Sequence, residues 1–233
     1  MQNFYDDNVQ DNNVIIDKST ENKIFGKTFF WMFLGLLGSG IIAYYTYASE
    51  LYYNIIQDGY FTVLLIVELV AVLLFSFLYR KLSPTAVGIL YFVYSMLNGI
   101  TLSVVFVAFE LYSVIQLFVI SAIVFAVLGI IGYKTNKDLS SWGPYLTVFI
   151  IAGLVLSIID IFILKNPAFD LIIDWFILAV FCGVTIYDVN RIKLLQSEPD
   201  INQEKIHIYC AMQLYLDFIN IFLRILDIFG SRK

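Results

Sequence analysis

The feature that most constrains this chain is a series of apolar runs, each long enough to cross a membrane as a helix. Hydrophobic residues make up 60% of the 233 positions and charged residues only 14%, whereas soluble domains carry about 25% charged residues. A helix needs about 20 apolar residues to cross the roughly 30 Å hydrocarbon layer. We predict spans at 28–48, 60–80, 85–108, 112–133, 144–165, 171–193 and 206–229.

The runs predict helices and exclude a barrel. Every backbone polar group in hydrocarbon must be paired within the protein, which leaves helices and closed barrels. The apolar runs are continuous and show no period-2 alternation, so we predict an all-α bundle of seven transmembrane helices. Residues 1–27, rich in Asp and Asn, are expected to form a flexible N-terminal tail, and residues 230–233 a short C-terminal tail.

The basic residues predict the orientation. When successive loops are assigned to alternate sides of the membrane, ten Lys and Arg residues fall on one side and three on the other. The positive-inside rule then places the N-terminus in the cytoplasm. Seven full crossings put the basic C-terminus outside, and a re-entrant last segment is the alternative that keeps it inside.

Four carboxylates interrupt the predicted spans, namely Glu68, Asp160, Asp188 and Asp217. An ionisable group in the bilayer is costly unless it is paired or hydrated, so each is a candidate functional residue. Asp160 lies near an outer helix end, where an interfacial role and a pore-mouth role are both open. For Glu68 a pore or core role is favoured.

Polar residues on the last span recur at helical spacing. Asp217, Asn220, Arg224 and Asp227 fall at i, i+3, i+7 and i+10, which gives one polar stripe on an apolar helix. Such a stripe is too costly to face lipid, so we expect the other helices to surround this span and the stripe to line a polar interior. Arg224 and Asp227 are also spaced for a local ion pair.

Asp188 and Arg80 are predicted to lie on the same, cytoplasmic side. Two neighbouring carboxylates in a medium of low dielectric constant do not both ionise readily and share a proton. A nearby arginine favours the ionised form, so such a cluster is suited to a proton-sensitive latch, and a divalent cation is an alternative occupant. An ordinary pair between Asp188 and Arg191, with Arg80 as a topology anchor, remains open.

Two C-terminal segments resemble the Bax inhibitor-1 (transmembrane Bax inhibitor motif) family. They are Ile186-Tyr187-Asp188 and the segment from Leu214 to Phe222, LYLDFINIF, and the Leu82-Ser83-Pro84 turn also fits. The resemblance extends over about residues 28–229, and the compact chain is similar to bacterial members. Arg191 departs from the family pattern, in which many members carry a neutral residue three positions after this aspartate. A cation at this position is expected to compete with Arg80 for the Asp188 carboxylate.

The resemblance implies a central C-terminal helix wrapped by six others and a pH-sensitive calcium leak channel in a bacterial plasma membrane. It implies that Asp188 and Asp217 are the paired aspartates of a pH sensor, that they are candidate Ca²⁺ ligands, and that Arg80 is the latch. Glu68, Asn220, Arg224 and Asp160 are then expected along the ion pathway. No permanent cofactor is expected, and the expected partners are Ca²⁺, protons, the bilayer and other membrane proteins, without nucleic acid.

Two other functions remain open at this point. A Ca²⁺/H⁺ exchanger uses the same carboxylates but couples calcium movement to proton counterflow, and a membrane scaffold regulates other membrane proteins without conducting ions. An enzyme is not expected: His207 is the only histidine, and the sequence contains no His-Glu-x-x-His zinc motif and no phosphate-binding glycine loop.

Overall fold

The structure is a computed structural model and describes residues 18–195 and 203–233. Its α-helices, numbered α1 to α8 in chain order, are α1 (Lys18–Ala48), α2 (Leu51–Gln57), α3 (Tyr60–Leu78), α4 (Pro84–Ala108), α5 (Leu111–Lys134), α6 (Gly143–Ile159), α7 (Pro167–Leu195) and α8 (Gln203–Phe229). A short 3₁₀ turn (Ser140–Trp142) precedes α6, and a π-helical segment (Asp160–Leu164) follows it.

The seven predicted spans are confirmed. Within the described ranges, seven helices are long and apolar enough to cross a membrane, and only α2 among the α-helices is too short. The predicted boundary between tail and bundle at residue 27 falls inside α1, which begins at Lys18. The rest of the predicted tail, residues 1–17, lies outside the described residues.

The last helix lies at the centre of the bundle, as its polar stripe predicts. In its most apolar stretch 72% of α8 is buried, against 11% for α3 and 12% for α6. Helices α1, α4, α5 and α7 pack directly on α8. Helix α3 packs on α4, and α6 packs on α7, so these two helices form the outer walls of the bundle.

Two glycines allow helices to approach closely around this centre. A Cβ atom at Gly99 in α4 would lie 2.7 Å from the Ser39 carbonyl oxygen of α1, and one at Gly132 in α5 would lie 2.6 Å from the Ile186 carbonyl oxygen of α7. Small residues at such crossings let membrane helices gain close van der Waals contact. The second crossing fixes the part of α7 that carries Asp188.

The C-terminus shows that α8 crosses the whole bundle. Lys205, at the start of α8, donates to the carbonyl oxygen of Arg80 at the end of α3. At the other end, residues 231–233 pair with the turn between α4 and α5 through an antiparallel bridge from Phe109 to Arg232. The last segment therefore runs along the bundle without turning back, and residues 230–233, predicted as a tail, dock on the turn between α4 and α5. We call the two ends the Arg80 side and the C-terminal side.

Candidate functional site: a cavity lined by three carboxylates

A cavity of about 780 Å³ opens between the two outer walls of the bundle. Its sides are residues of α3 and α6, and its floor is formed by α7 and the central helix α8. Three carboxylates predicted from the sequence line it together: Glu68 from α3, Asp188 from α7 and Asp217 from α8. Asn220, one turn beyond Asp217, also lines it, so the first half of the predicted stripe faces a shared interior.

Asp217 is the most deeply buried of the three carboxylates. Its residue is only 3% exposed, and its Oδ2 atom accepts no hydrogen bond from the described residues. An ionised carboxylate only accepts hydrogen bonds, and a buried polar atom without a partner costs free energy. The Oδ2 atom is therefore a buried acceptor without a donor among the described residues, in a side chain that lines the cavity.

The arginine beside Asp188 is Arg191. Both side chains line the large cavity and also a small recess next to Tyr209, Cys210 and Gln213. The two residues are three apart on α7, so they share one face of the helix. Among the described residues the two side chains share these cavities without an ion pair between them.

Arg80 is placed differently from the prediction. No ion pair between Arg80 and Asp188 occurs among the residues the structure describes. The Nε atom of Arg80 donates to the Tyr79 hydroxyl at 3.0 Å, and its guanidinium lies over the Tyr79 ring. Arg80 follows the end of α3, in the turn before α4, and does not line the cavity that contains Asp188.

A hydrogen-bond network holds Glu68 against α4. Its Oε1 atom accepts from the Thr101 hydroxyl at 2.7 Å, and its Oε2 atom accepts from the Asn98 amide at 3.1 Å. The Asn98 amide oxygen in turn accepts from the Tyr215 hydroxyl at 2.8 Å, and Tyr215 bonds Ser39 of α1 at 2.6 Å. The network thus joins α3, α4, α8 and α1.

The sequence reasoning missed this network. Asn98, Thr101 and Tyr215 are neutral polar residues inside apolar spans, and attention to charge alone passes over them. A signal was present: Ser95, Asn98 and Thr101 recur every three residues on α4, which places neighbouring members on one side of the helix. All three are buried.

Arg224 pairs with another helix as well as with its neighbour Asp227. The guanidinium forms an ion pair of 2.5 Å with Asp174 of α7, and Asp227 lies farther away at 3.6 Å. The interpretation of Arg224 and Asp227 as only a local pair is therefore incomplete. A smaller cavity of about 230 Å³, lined by both Asn220 and Arg224, continues from the large cavity toward this pair.

Asp160 does not line either of these two cavities. Its residue is buried, and its Oδ1 atom accepts from the backbone N–H of Asn166 at 3.4 Å. The side chain therefore supports the connection between the π-helical segment and α7, which passes through Lys165 with a φ of 49°. Its position favours the interfacial interpretation over the pore mouth.

The residues present do not form a multi-carboxylate metal site. Within the two described segments, no group of three or more His, Cys, Asp or Glu side chains is placed to hold a metal ion. Cys182 and Cys210 are free thiols. Ca²⁺ takes six to eight oxygen ligands, so Asp188 and Asp217 alone do not complete its coordination shell.

Comparison with known proteins places this bundle in a family. The family model described as "Inhibitor of apoptosis-promoting Bax1" matches residues 21–233. This match includes all seven spans and the three carboxylates of the cavity. The chain belongs to the Bax inhibitor-1 family. The resemblance found in the two C-terminal segments is thereby confirmed.

Bacterial relatives match most of this Bax inhibitor-1 family protein. The inner membrane protein YbhL of Escherichia coli K12 is 34% identical over 209 residues, which is 87% of this chain and 89% of YbhL. An uncharacterized protein of Borreliella burgdorferi is 31% identical over 219 residues, or 91% of this chain and 94% of that protein. An uncharacterized membrane protein of Streptococcus pyogenes serotype M1 is 36% identical over 166 residues, 71% of this chain and 72% of that protein. The protein is therefore an integral membrane protein similar to bacterial family members.

Proposed function

We propose that this protein is a pH-sensitive calcium leak channel, in which Ca²⁺ moves passively through the carboxylate cavity. The observation that supports this most is the convergence of Glu68, Asp188 and Asp217 on one cavity beside the central helix. Carboxylate oxygens are the ligands that Ca²⁺ prefers. The remaining ligands of a passing ion would be water and neutral side chains such as the Asn220 amide.

Asp188 and Asp217 are the proposed gate. Asp188 lies toward the end of α7 on the Arg80 side, Asp217 lies near the middle of α8, and both line the same cavity. Two close carboxylates in a medium of low dielectric constant share a proton rather than both ionising. Protonation removes the charge that attracts a cation and weakens the interaction of Asp188 with Arg191. In this proposal Arg191 takes the role that the sequence assigned to Arg80. The N-terminus and the Arg80 side are proposed to face the cytoplasm.

Arg224 is the proposed barrier at the other end of the pathway. Its guanidinium lies beyond Asn220, and a fixed positive charge in a narrow passage repels cations. Its ion pair with Asp174 ties the central helix to α7. Conduction therefore requires this pair to rearrange, which fits a protein that leaks calcium slowly and does not hold an open pore.

Calcium flux into proteoliposomes loaded with a calcium-sensitive dye tests the proposal. We expect passive flux of the purified protein that varies with pH, and in Asp217→Asn a flux that has lost this variation because one site of the pair no longer titrates. Asp58→Asn, a change at an exposed carboxylate outside the spans, is the matched control. Unchanged flux and unchanged pH dependence in Asp217→Asn would refute the gate.

The same vesicles separate the two alternatives. Stoichiometric proton counterflow, measured with a pH-sensitive dye on the other side of the membrane, identifies a Ca²⁺/H⁺ exchanger instead of a leak. If protein that is shown to be folded in the vesicles conducts no calcium at any pH, the result supports the non-conducting membrane scaffold.

A further inference from the structure

We propose that the carboxylate cavity is also a binding site for an amphipathic amine, a molecule with a primary ammonium head and a long apolar tail, which enters from the bilayer between α3 and α6. The inference uses the residues of the proposed ion pathway but does not require that pathway to conduct. The size of the cavity, the chemistry of its lining, its position between the outer walls and one unpartnered acceptor all favour such a ligand.

The cavity is much larger than a cation needs. Its volume of about 780 Å³ falls in the range of roughly 300–1,000 Å³ that is typical of sites for organic ligands, which are mostly apolar with a few placed polar groups. Most of its lining is apolar, and it includes Leu65 and Leu69 of α3 and Ile150 and Leu154 of α6. A bare or hydrated ion leaves most of this surface without a partner.

The opening faces lipid. Helix α3 packs on α4 and α6 packs on α7, so the two walls are held by different neighbours. Leu69 is 56% exposed and Leu154 is 50% exposed, and both lie in helices apolar enough to span the membrane. An apolar tail can therefore reach the cavity through the hydrocarbon layer without crossing water.

The floor of the cavity selects the head group. Glu68, Asp188 and Asp217 supply three carboxylates against the single guanidinium of Arg191, which favours a cationic head. Both oxygens of Glu68 already accept hydrogen bonds from α4. The Oδ2 atom of Asp217, in a residue only 3% exposed, has no donor among the described residues. A head group that satisfies it must donate a hydrogen bond, which a primary ammonium does and a quaternary ammonium does not.

A second groove provides an internal comparison. It has a volume of about 750 Å³ between α1 and α5, and its lining includes Phe33, Leu37 and Phe118 but no ionisable carboxylate or amine. Any apolar tail fills this groove equally well whatever its head group. Selective binding of the amine in the first cavity, and not in the second groove, therefore indicates a specific site. Binding that is equal in both would indicate only that apolar tails fill surface grooves.

The experiment uses dodecylamine with a photoreactive diazirine at the tail end, added to the full-length protein in lipid nanodiscs. After illumination, the labelled residues are located by mass spectrometry. We expect labelling on the α3 and α6 walls, near Leu69 and Leu154, that unlabelled dodecylamine displaces. Dodecanol and dodecyltrimethylammonium should displace the label far less well, because the first lacks the charge and the second lacks the N–H donors.

Two variants test the assigned head-group partners. In Asp217→Asn and Glu68→Gln we expect the concentration of dodecylamine that displaces half of the label to rise at least about tenfold, whereas Glu110→Gln, at an exposed carboxylate outside the cavity, should leave it unchanged. Equal displacement by dodecanol, or equal labelling of the α1–α5 groove, would overturn the proposal. Selective amine binding without calcium flux would refute the proposed channel but support the amine site. Calcium flux without selective amine binding would support the channel and refute the amine site.

Discussion

The Tyr215 hydroxyl of the central helix donates a hydrogen bond of 2.8 Å to the Asn98 amide oxygen of α4, and the Asn98 amide nitrogen donates to Glu68 of α3. The central helix α8 thus helps to orient the Glu68 carboxylate of α3 through Asn98, although α3 itself packs on α4. Tyr215 is two residues before Asp217 on α8. The same helix therefore holds one carboxylate of the cavity and orients another.

Tyr215→Phe should destabilise the bundle. The change removes only the hydroxyl, so the Asn98 amide oxygen loses its donor in a buried region, at a cost of about 1–3 kcal/mol. Thermal unfolding in detergent measures this loss. Tyr112→Phe is the matched control, because Tyr112 is 77% exposed, and it should leave the unfolding temperature unchanged. Equal unfolding temperatures for the two variants would show that the network contributes nothing to stability.

Asp174→Asn should raise calcium flux more than Asp227→Asn. Asp174 is the nearer partner of Arg224 and joins it to a different helix, whereas Asp227 lies farther away on the same helix. Removing the first carboxylate releases the Arg224 side chain from α7, so that it can move out of the pathway, and removing the second leaves the pair with Asp174 in place. Dye-loaded proteoliposomes measure both fluxes at one pH. A larger effect of Asp227→Asn would contradict the assignment of Asp174 as the main partner.

Gly132→Ala should destabilise the protein and disturb the cavity. The new Cβ would lie 2.6 Å from the Ile186 carbonyl oxygen, so α5 and α7 must separate, and such overpacking costs about 1–3 kcal/mol. Because Ile186 is two residues before Asp188, the gate should also change its pH dependence. Gly40→Ala in α1, where no atom lies within 4 Å of the new Cβ, should be neutral or slightly stabilising. The pair of variants is compared by thermal unfolding and by flux.

The sequence predicts those features of the structure that depend on the burial energy of a single helix, and not those that depend on contacts between helices. Span positions and the central place of α8 follow from apolar runs and from the cost of Asp217 in lipid, because burial energies act on single helices. The arginine beside Asp188 does not follow in this way. Charge and topology place Arg80 and Arg191 on the same side, and only the helical face of α7, together with the early end of α3, selects Arg191.

The missed network has a related cause. Ser, Thr and Asn side chains can hydrogen-bond the backbone of their own helix, so their presence in a membrane helix does not identify an interhelical partner. Thr101 shows this ambiguity, since its hydroxyl lies 2.7 Å from Glu68 Oε1 and 2.8 Å from the Asn98 carbonyl oxygen of its own helix. Whether the Thr101 hydroxyl donates to Glu68 or to its own backbone depends on the position of α3. That position does not follow from a single sequence.

The turn before α6 should loosen in acid. Hydrogen bonds from the Ser140 side chain and from its backbone N–H, the latter 2.8 Å from Asp138 Oδ1, lower the pKa of Asp138. A carboxylate with a lowered pKa stabilises the folded turn above its unfolded pKa, and this contribution is lost as pH falls below about 4. Hydrogen exchange at the Ser140 amide, corrected for the intrinsic rate at each pH, should show falling protection. Asp138→Asn should remove the pH dependence, and unchanged dependence in that variant would assign it to another group.

Deleting residues 231–233 should expose the turn between α4 and α5. In the intact chain the Glu110 N–H donates to the Ser231 carbonyl oxygen at 2.9 Å, and the Lys233 N–H donates to the Ala108 carbonyl oxygen at 3.0 Å. Without these partners the Glu110 amide loses its acceptor, so its hydrogen exchange should accelerate.

Lys233→Ala separates this backbone effect from the side-chain contacts. That variant keeps both backbone hydrogen bonds and loses the bonds from Lys233 Nζ to the Tyr47 hydroxyl and the Phe106 carbonyl oxygen, together with the cation–π contact of Nζ with the Tyr47 ring. Its Glu110 amide should therefore remain protected. Acceleration of equal size in the two variants would show that the lysine side chain, and not the backbone pairing, holds the C-terminus against the bundle.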